Sequence, residues 1–86
     1  MARPITTQLA VASTENTHQI GSGLKSILIK NQGTTDCYIE FDRVIDTARS
    51  YLLEAGEAVT IESPFIRLYF KTASGTTTLY LLKILQ

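Results

Sequence analysis

Apolar and polar residues alternate along most of this chain with a period of two, which is typical of strands with one buried face. The alternation is clear in residues 37–42 and 59–62, and no segment has a sustained helical stripe of apolar residues. Residues 46–54 could suggest a helix, but we interpret them as a loop leading into a short strand. Gly56 follows them closely, and no clear cap precedes them. The pattern therefore predicts an all-β chain.

Turn signals divide the alternating segments. The Asn and Gly of residues 31–36, Gly56, the bend at Ser63-Pro64 and the turn around Gly75 each predict a reversal of the chain. Six to seven short strands separated by turns predict a small antiparallel β-sandwich, jelly-roll-like. The last strand is apolar on nearly both faces, so it should lie centrally or be covered by another subunit. The predicted strands cover residues 5–12, 24–31, 37–42, 51–53, 59–62, 66–70 and 79–85.

The N-terminal segment differs in pattern from the rest of the chain. Residues 13–23 are polar, flanked by glycine and long for a connection, which predicts a hinge. We therefore divide the chain into an extended N-terminal arm with its hinge, residues 1–23, and a β-sandwich domain, residues 24–86. An extended arm can add a strand to a neighbour's sheet, so deletion of residues 1–12 should abolish assembly and leave the sandwich folded. The side chains expected to insert into the neighbour are Ile5, Leu9 and Val11.

Composition restricts the partners. A chain of 86 residues forms one domain with a modest core, so association with copies of itself is expected. Eight basic and eight acidic residues are scattered and balanced, which argues against nucleic acid or an anionic membrane as partner. The single cysteine, Cys37, excludes an internal disulfide, and the N-terminus is a poor signal peptide. A cytoplasmic site of synthesis is the expectation.

Candidate chemistry is sparse. The only histidine, His18, lies in the polar segment, whereas Cys37 lies in a predicted strand, so a nucleophile–base pair is not expected. Two such residues also fall short of a zinc site. Glu40 and Asp42 share a strand face and could bind a cation or catalyse hydrolysis, but we interpret them as a solvated face. The sequence predicts no enzyme, no catalytic residues, no metal and no cofactor.

One strand face carries a basic and aromatic row, in which tyrosine lies between two basic residues. Tyrosine and arginine are enriched at protein interfaces, so we expect this row to contact protein if it has a function. The opposite face of the same strand should present Ile66, Leu68 and Phe70 to the core. The row consists of Arg67, Tyr69 and Lys71.

Several short motifs together resemble a known group of proteins. They are I-x-N-x-G-T at 29–34, Y-I-x-F at 38–41, L-x-A-G-E-x-V-x-I at 53–61, I-x-L-Y at 66–69 and S-G-T-x-x-L at 74–79. The pattern is similar to that of small β-sandwich virion proteins of tailed bacteriophages, the capsid decoration and minor head proteins. This resemblance implies a non-enzymatic virion protein, assembled in the host cytoplasm, that stabilises the shell. Its implied partners are itself, as a homo-oligomer, and the major capsid protein or other virion proteins.

Two other classes compete with this expectation. A carbohydrate-binding or host-adhesion module would also be a small β-sandwich, but such sites use exposed aromatic platforms, and the chain has no Trp, four Tyr and three Phe. The L-x-x-G-E motif also occurs in cupins, whose clustered histidines and glutamate are missing from this sequence. A small enzyme is therefore the least favoured class.

Overall fold

The structure, a computed structural model, describes residues 3–21 and 23–85, and every regular element within them is a β-strand. Among these residues there is no helix long and apolar enough to cross a membrane. The strands are β1 (Arg3–Val11), β2 (Asn16–Gln19), β3 (Leu24–Asn31), β4 (Cys37–Phe41), β5 (Tyr51–Leu53), β6 (Ala58–Ile61), β7 (Arg67–Thr72) and β8 (Thr77–Leu85).

The strands form two four-stranded sheets, with the orders β1-β8-β3-β6 and β2-β7-β4-β5. All neighbouring strands are antiparallel. Two packed sheets with this order make an eight-stranded jelly roll, which confirms the predicted fold class. The structure adds β2, which lies within the polar segment where the sequence pattern predicts only a hinge.

Most turns carry the chain from one sheet to the other. The turns after β3, β5 and β7 each connect strands that lie in different sheets, so the reversals at residues 31–36 and 72–77 are not hairpins. Only β4 and β5 are neighbours both in sequence and in one sheet, and the irregular residues 42–50 connect them. Gly56 has φ of 82° and Gly75 has φ of 82°, which only glycine adopts readily and which confirms both as turn positions.

The core lies between the two sheets and is formed by the inward side chains of both. The strand β8 is central in its sheet, as its apolar pattern predicts, and Leu79 and Leu81 are completely buried. Asn31 and Lys83 are polar exceptions in this interior, with 0% and 9% exposure. The buried apolar residues are Val11, Ile20, Leu24, Ile27, Ile29, Cys37, Ile39, Leu53, Phe65, Leu68, Phe70, Leu79 and Leu81.

The N-terminal residues belong to the sandwich in the single chain. The strand β1 pairs with β8 along nine residues and forms an edge of the first sheet. Ile5 and Leu9 are half-buried and Val11 is buried, so these side chains face the chain's own interior. The expected separation between an arm (1–23) and a sandwich (24–86) is therefore not seen here. The physical reason is that β8 needs a partner on each side, and β1 supplies one.

Candidate functional site

A shallow groove lies at one end of the sandwich. Its larger part has a volume of about 350 Å³ and an adjoining part about 250 Å³. Asp42 and Ile66 line both parts, which joins them into one surface. We call this surface the end groove. Its remaining lining residues are Gly21, Gly23, Leu24, Pro64, Phe65, Arg67 and Tyr69.

Asp42 connects the end of β4 to residues 66–67 beneath the end groove. It directly follows β4 and has φ of 63°, the only positive φ of a non-glycine residue in the described chain. Asp tolerates this left-handed conformation better than most residues. Its Oδ1 accepts hydrogen bonds from the backbone N–H of Ile66 at 2.9 Å and of Arg67 at 2.7 Å. Its own N–H donates to the Arg67 carbonyl at 2.9 Å. Three hydrogen bonds with Asp42 thus hold the turn at residues 66–67.

Ile66 is fixed on its other side as well. Its carbonyl accepts a hydrogen bond from the N–H of Ile20 at 2.7 Å, so both backbone polar groups of Ile66 are bonded. The side chain nevertheless is 57% exposed. The prediction that Ile66 faces the core together with Leu68 and Phe70 is therefore wrong. The strand β7 begins only at Arg67, and the bend before it turns Ile66 outward.

The residue before Ile66 anchors the turn to the core. Phe65 is buried, and its ring makes an edge-to-face contact with Phe41, with ring centroids 4.7 Å apart and an interplanar angle of 64°. Such aromatic pairs contribute about 0.5–1.5 kcal/mol beyond their area burial. Buried Phe65 and exposed Ile66 thus follow each other on a turn that an aromatic contact and backbone hydrogen bonds attach to the sandwich.

The structure brings together some of the predicted interface residues. Arg67 and Tyr69 line the end groove beside Ile66. Lys71 lies further along the same outer face of β7, opposite Tyr38 of β4, and does not line the groove. The other three predicted residues, Ile5, Leu9 and Val11, lie on the inner face of the other sheet and take no part in the groove.

Of the two acidic residues that the sequence predicts on one solvated face, Asp42 is exposed but Glu40 is buried. Glu40 is only 9% exposed. Its Oε1 accepts a hydrogen bond from the Ser50 hydroxyl at 3.0 Å and lies 3.5 Å from the Arg43 Nε. Its Oε2 accepts from the N–H of Phe41 at 3.1 Å. These contacts attach residues 43–50 to the outer face of the second sheet, which is a structural role.

His18 and Cys37 lie on strands separated by β7. Cys37 is completely buried, and burial raises the pKa of its thiol to about 11, so it is protonated at neutral pH. Burial and the nearby charge of Lys83 lower the pKa of His18. Within residues 3–21 and 23–85 there is no group of three or more His, Cys, Asp or Glu residues that could hold a metal ion.

Comparison with known proteins supports the fold. No family model matches the chain, and no curated protein matches its sequence. Among solved structures, a cupin superfamily protein from Desulfitobacterium hafniense is 8% identical, with a TM-score of 0.65 over 100% of this chain and 79% of that one. The subunit of Bacillus endospore appendages, which form disulfide-linked pili, is 11% identical, with a TM-score of 0.65 over 98% of this chain and 84% of that one. Apo-HppE is 10% identical, with a TM-score of 0.62 over 93% of this chain.

These similarities establish a cupin-like jelly roll. The chain spans only 41% of the length of HppE. At 8–11% identity the likeness concerns the fold alone. The fold accommodates both an assembled pilus protein and HppE, of which a structure with Co(II) and substrate is known. Fold similarity therefore does not select a function, and the function has to be inferred from the residues on the surface of this chain.

Proposed function

We propose that this chain is a non-enzymatic structural subunit that binds other protein chains through the end groove. More specifically, we propose that it is a capsid decoration or minor head protein of a tailed bacteriophage, located in the virion, as its short motifs suggest. The observation that carries the proposal is the exposure of Ile66 on a backbone fixed from both sides by Asp42 and Ile20. A large apolar side chain that is exposed to water on a backbone held by hydrogen bonds is suited to insertion into a partner.

The surroundings of Ile66 support a protein partner. Arg67 and Tyr69 adjoin it, and arginine and tyrosine lead the residues that contribute most to protein interfaces. The hydrogen-bonded backbone of Ile66 lowers the entropic cost of binding, because the main chain at this position needs no ordering when the partner arrives. The assembled pilus protein among the structural neighbours is compatible with this use of the fold, as the name of that protein implies.

The test compares two exposed apolar residues. Ile66→Asp places a charge in the end groove, whereas Val44→Asp places one at an equally exposed site, 64% against 57% exposure, outside this groove. We expect wild type and Val44→Asp to bind shells assembled from the major capsid protein of the same source, in cosedimentation. We expect Ile66→Asp to lose binding while its circular dichroism spectrum stays unchanged.

Two results would contradict the proposal. If Ile66→Asp and Val44→Asp bind equally well, the end groove is not the contact surface. If wild type neither binds shells nor self-associates in light scattering after size exclusion, a structural role in a virion is wrong.

A further inference from the structure

Four strands form the edges of the two sheets in residues 3–21 and 23–85, and β1 differs from the other three. The edge strands β2, β5 and β6 have four, three and four residues, whereas β1 has nine and pairs with β8 without a register shift. Residues 4–11 of β1 also carry no charge. Short length, bulges and charged side chains are the usual protection of an edge against pairing with another chain. The edge at β1 has none of the three and is therefore open to a further strand.

The free side of β1 presents backbone groups that can pair. The N–H of Gln32 donates to the carbonyl of Thr78 at 2.9 Å, so Thr78 directs its backbone polar groups towards β3. These groups alternate sides along a strand, so Leu81 directs its own towards β1, where it meets Thr7. The residues on either side of Thr7 then direct their backbone groups away from β8. The free N–H donors of β1 are those of Thr6, Gln8 and Ala10.

Apolar side chains are also accessible on this side of the sandwich. Ile5 and Leu9 are half-buried on the inner face of β1. Ala12, directly after β1, accepts a hydrogen bond from the N–H of Thr72 in β7 at 3.0 Å, so the chain enters the second sheet on the same side. The edge strand β2 follows it there. Two sheet edges and part of the apolar layer between them therefore lie together on this side.

We propose that β1 pairs with β1 of a second copy of this chain, antiparallel and centred on Thr7. A two-fold axis perpendicular to the sheet at this residue keeps the inner faces of both copies on one side. Ile5 then lies opposite Leu9 of the second copy, which brings apolar side chains together on the inner face. Thr6 lies opposite Gln8 of the second copy on the outer face, where both side chains are exposed in the single chain. The strand is thus complementary to itself, and no like charges of residues 4–11 meet.

The same register also satisfies the free backbone donors. Thr6 and Gln8 of opposite copies exchange N–H to carbonyl hydrogen bonds, and the N–H of Ala10 donates to the carbonyl of Pro4. Pro4 has no N–H, and its nitrogen is on the outward side of β1, so its pairing with β8 loses nothing. The two sheets joined at β1 become one sheet of eight strands.

The size of this contact indicates a reversible dimer. A strand of nine residues is about 30 Å long and packed sheets lie about 10 Å apart, so the contact buries roughly 800–1,000 Å² in total. This is at the low end for specific interfaces, and we expect a Kd of about 1–100 μM. The end groove is lined by residues outside β1, so the dimer does not rest on the proposed function.

Light scattering after size exclusion at 1–500 μM tag-free protein, about the expected Kd, measures the dimer. Gln8→Pro removes the outward N–H of an exposed residue and leaves the bonds to β8, whereas the matched control Gln8→Ala keeps that N–H. We expect Gln8→Pro to raise the Kd about 30-fold, because two hydrogen bonds of the symmetric pair are lost. Gln8→Ala and Ile66→Asp should stay close to wild type.

Cysteine cross-linking tests the register. Residues facing each other at the axis have Cα atoms about 4.5 Å apart, so Thr7→Cys should form an intermolecular disulfide under mild oxidation. In Gln8→Cys the two cysteines are diagonal neighbours about 7–8 Å apart, which is too far for a disulfide. Gln8 is the more exposed of the two residues, so random collisions would favour Gln8→Cys instead. The native Cys37 is buried and should not take part.

Three results would overturn the proposal. The first is a wild type that stays monomeric at 500 μM, which would leave the edge to a strand of another protein. The second is a folded Gln8→Pro that dimerises as well as Gln8→Ala. The third is cross-linking of Gln8→Cys that equals or exceeds that of Thr7→Cys. If Gln8→Pro does not fold, the two cysteine variants decide the matter, because neither changes a backbone donor.

Discussion

The side chain of Asn31 forms a buried hydrogen-bond network that should contribute strongly to the stability of this sandwich. It is completely buried, and its side chain makes four hydrogen bonds. Its Nδ2 donates to the carbonyls of Thr35 at 2.8 Å and Leu53 at 3.0 Å. Its Oδ1 accepts from the N–H of Gly33 at 3.2 Å and the hydroxyl of Thr77 at 2.6 Å. One amide thus connects the turn after β3 with β5 and β8.

The substitution Asn31→Ala removes all four bonds and leaves the Leu53 carbonyl and the Thr77 hydroxyl buried without this partner. At about 1 kcal/mol net for each bond, the expected loss in the free energy of unfolding is about 4 kcal/mol. This is a large part of the 5–15 kcal/mol that is typical of a domain. Thr77→Val removes only one bond and should cost about 1 kcal/mol.

Urea unfolding followed by circular dichroism and tyrosine fluorescence measures these changes. With an m-value of about 1–3 kcal/mol/M, the midpoint of Asn31→Ala should fall by at least about 1 M. The matched control is Gln32→Ala, an exposed neighbour whose side chain makes no hydrogen bond recorded in the described chain, and it should stay within about 0.5 kcal/mol of wild type. An Asn31→Ala protein less than about 1 kcal/mol below wild type would refute the reasoning.

Three further predictions follow from other parts of the structure. At Asp42, with φ of 63° and two hydrogen bonds accepted by Oδ1, we expect Asp42→Ala to destabilise the protein most. Asp42→Gly should destabilise it less, because glycine tolerates this φ, and Asp42→Asn should destabilise it least. Another order of the thermal unfolding midpoints would contradict this assignment. The Cys37 thiol should react with a disulfide reagent far more slowly in native than in unfolded protein. The pKa of the Cys37 thiol is about 11 in the folded protein, above its value in the unfolded chain, so the unfolded chain loses this proton first as pH rises. The thiol's contribution to the free energy of unfolding is therefore present below about pH 9 and declines as pH rises towards 11. Cys37→Ala should remove this decline from the profile of stability against pH. Deletion of residues 1–12 should unfold the protein, because it removes the strand β1 that pairs with β8 and removes Val11 from the core. A truncated chain that still unfolds cooperatively would support the hypothesis of a separate N-terminal arm instead.

The end groove shows why a site is harder to predict than a fold. Arg67 and Tyr69 could be selected from their residue types and from their common strand face. Asp42 and Ile66 could not, because their roles depend on hydrogen bonds between positions 24 and 25 residues apart. The signal that existed was local: an aspartate directly after a strand, where a left-handed residue ends the pairing.

The sequence by itself determined the class of fold. Alternation with a period of two fixed which residues of β8 are buried and most of those of β3 and β4, and the glycine and proline positions fixed where the chain turns. These properties are local, because a strand's two faces and a turn's dihedral angles depend on neighbouring residues only.

Tertiary structure decided which strands pair. A turn at residues 31–36 serves equally well for a hairpin and for a crossing to the opposite sheet, since both reverse the chain and both leave one face of each strand buried. The same ambiguity concealed that β1 fills the place beside β8. Contacts of this kind join residues far apart in sequence, and only the closed sandwich brings them together.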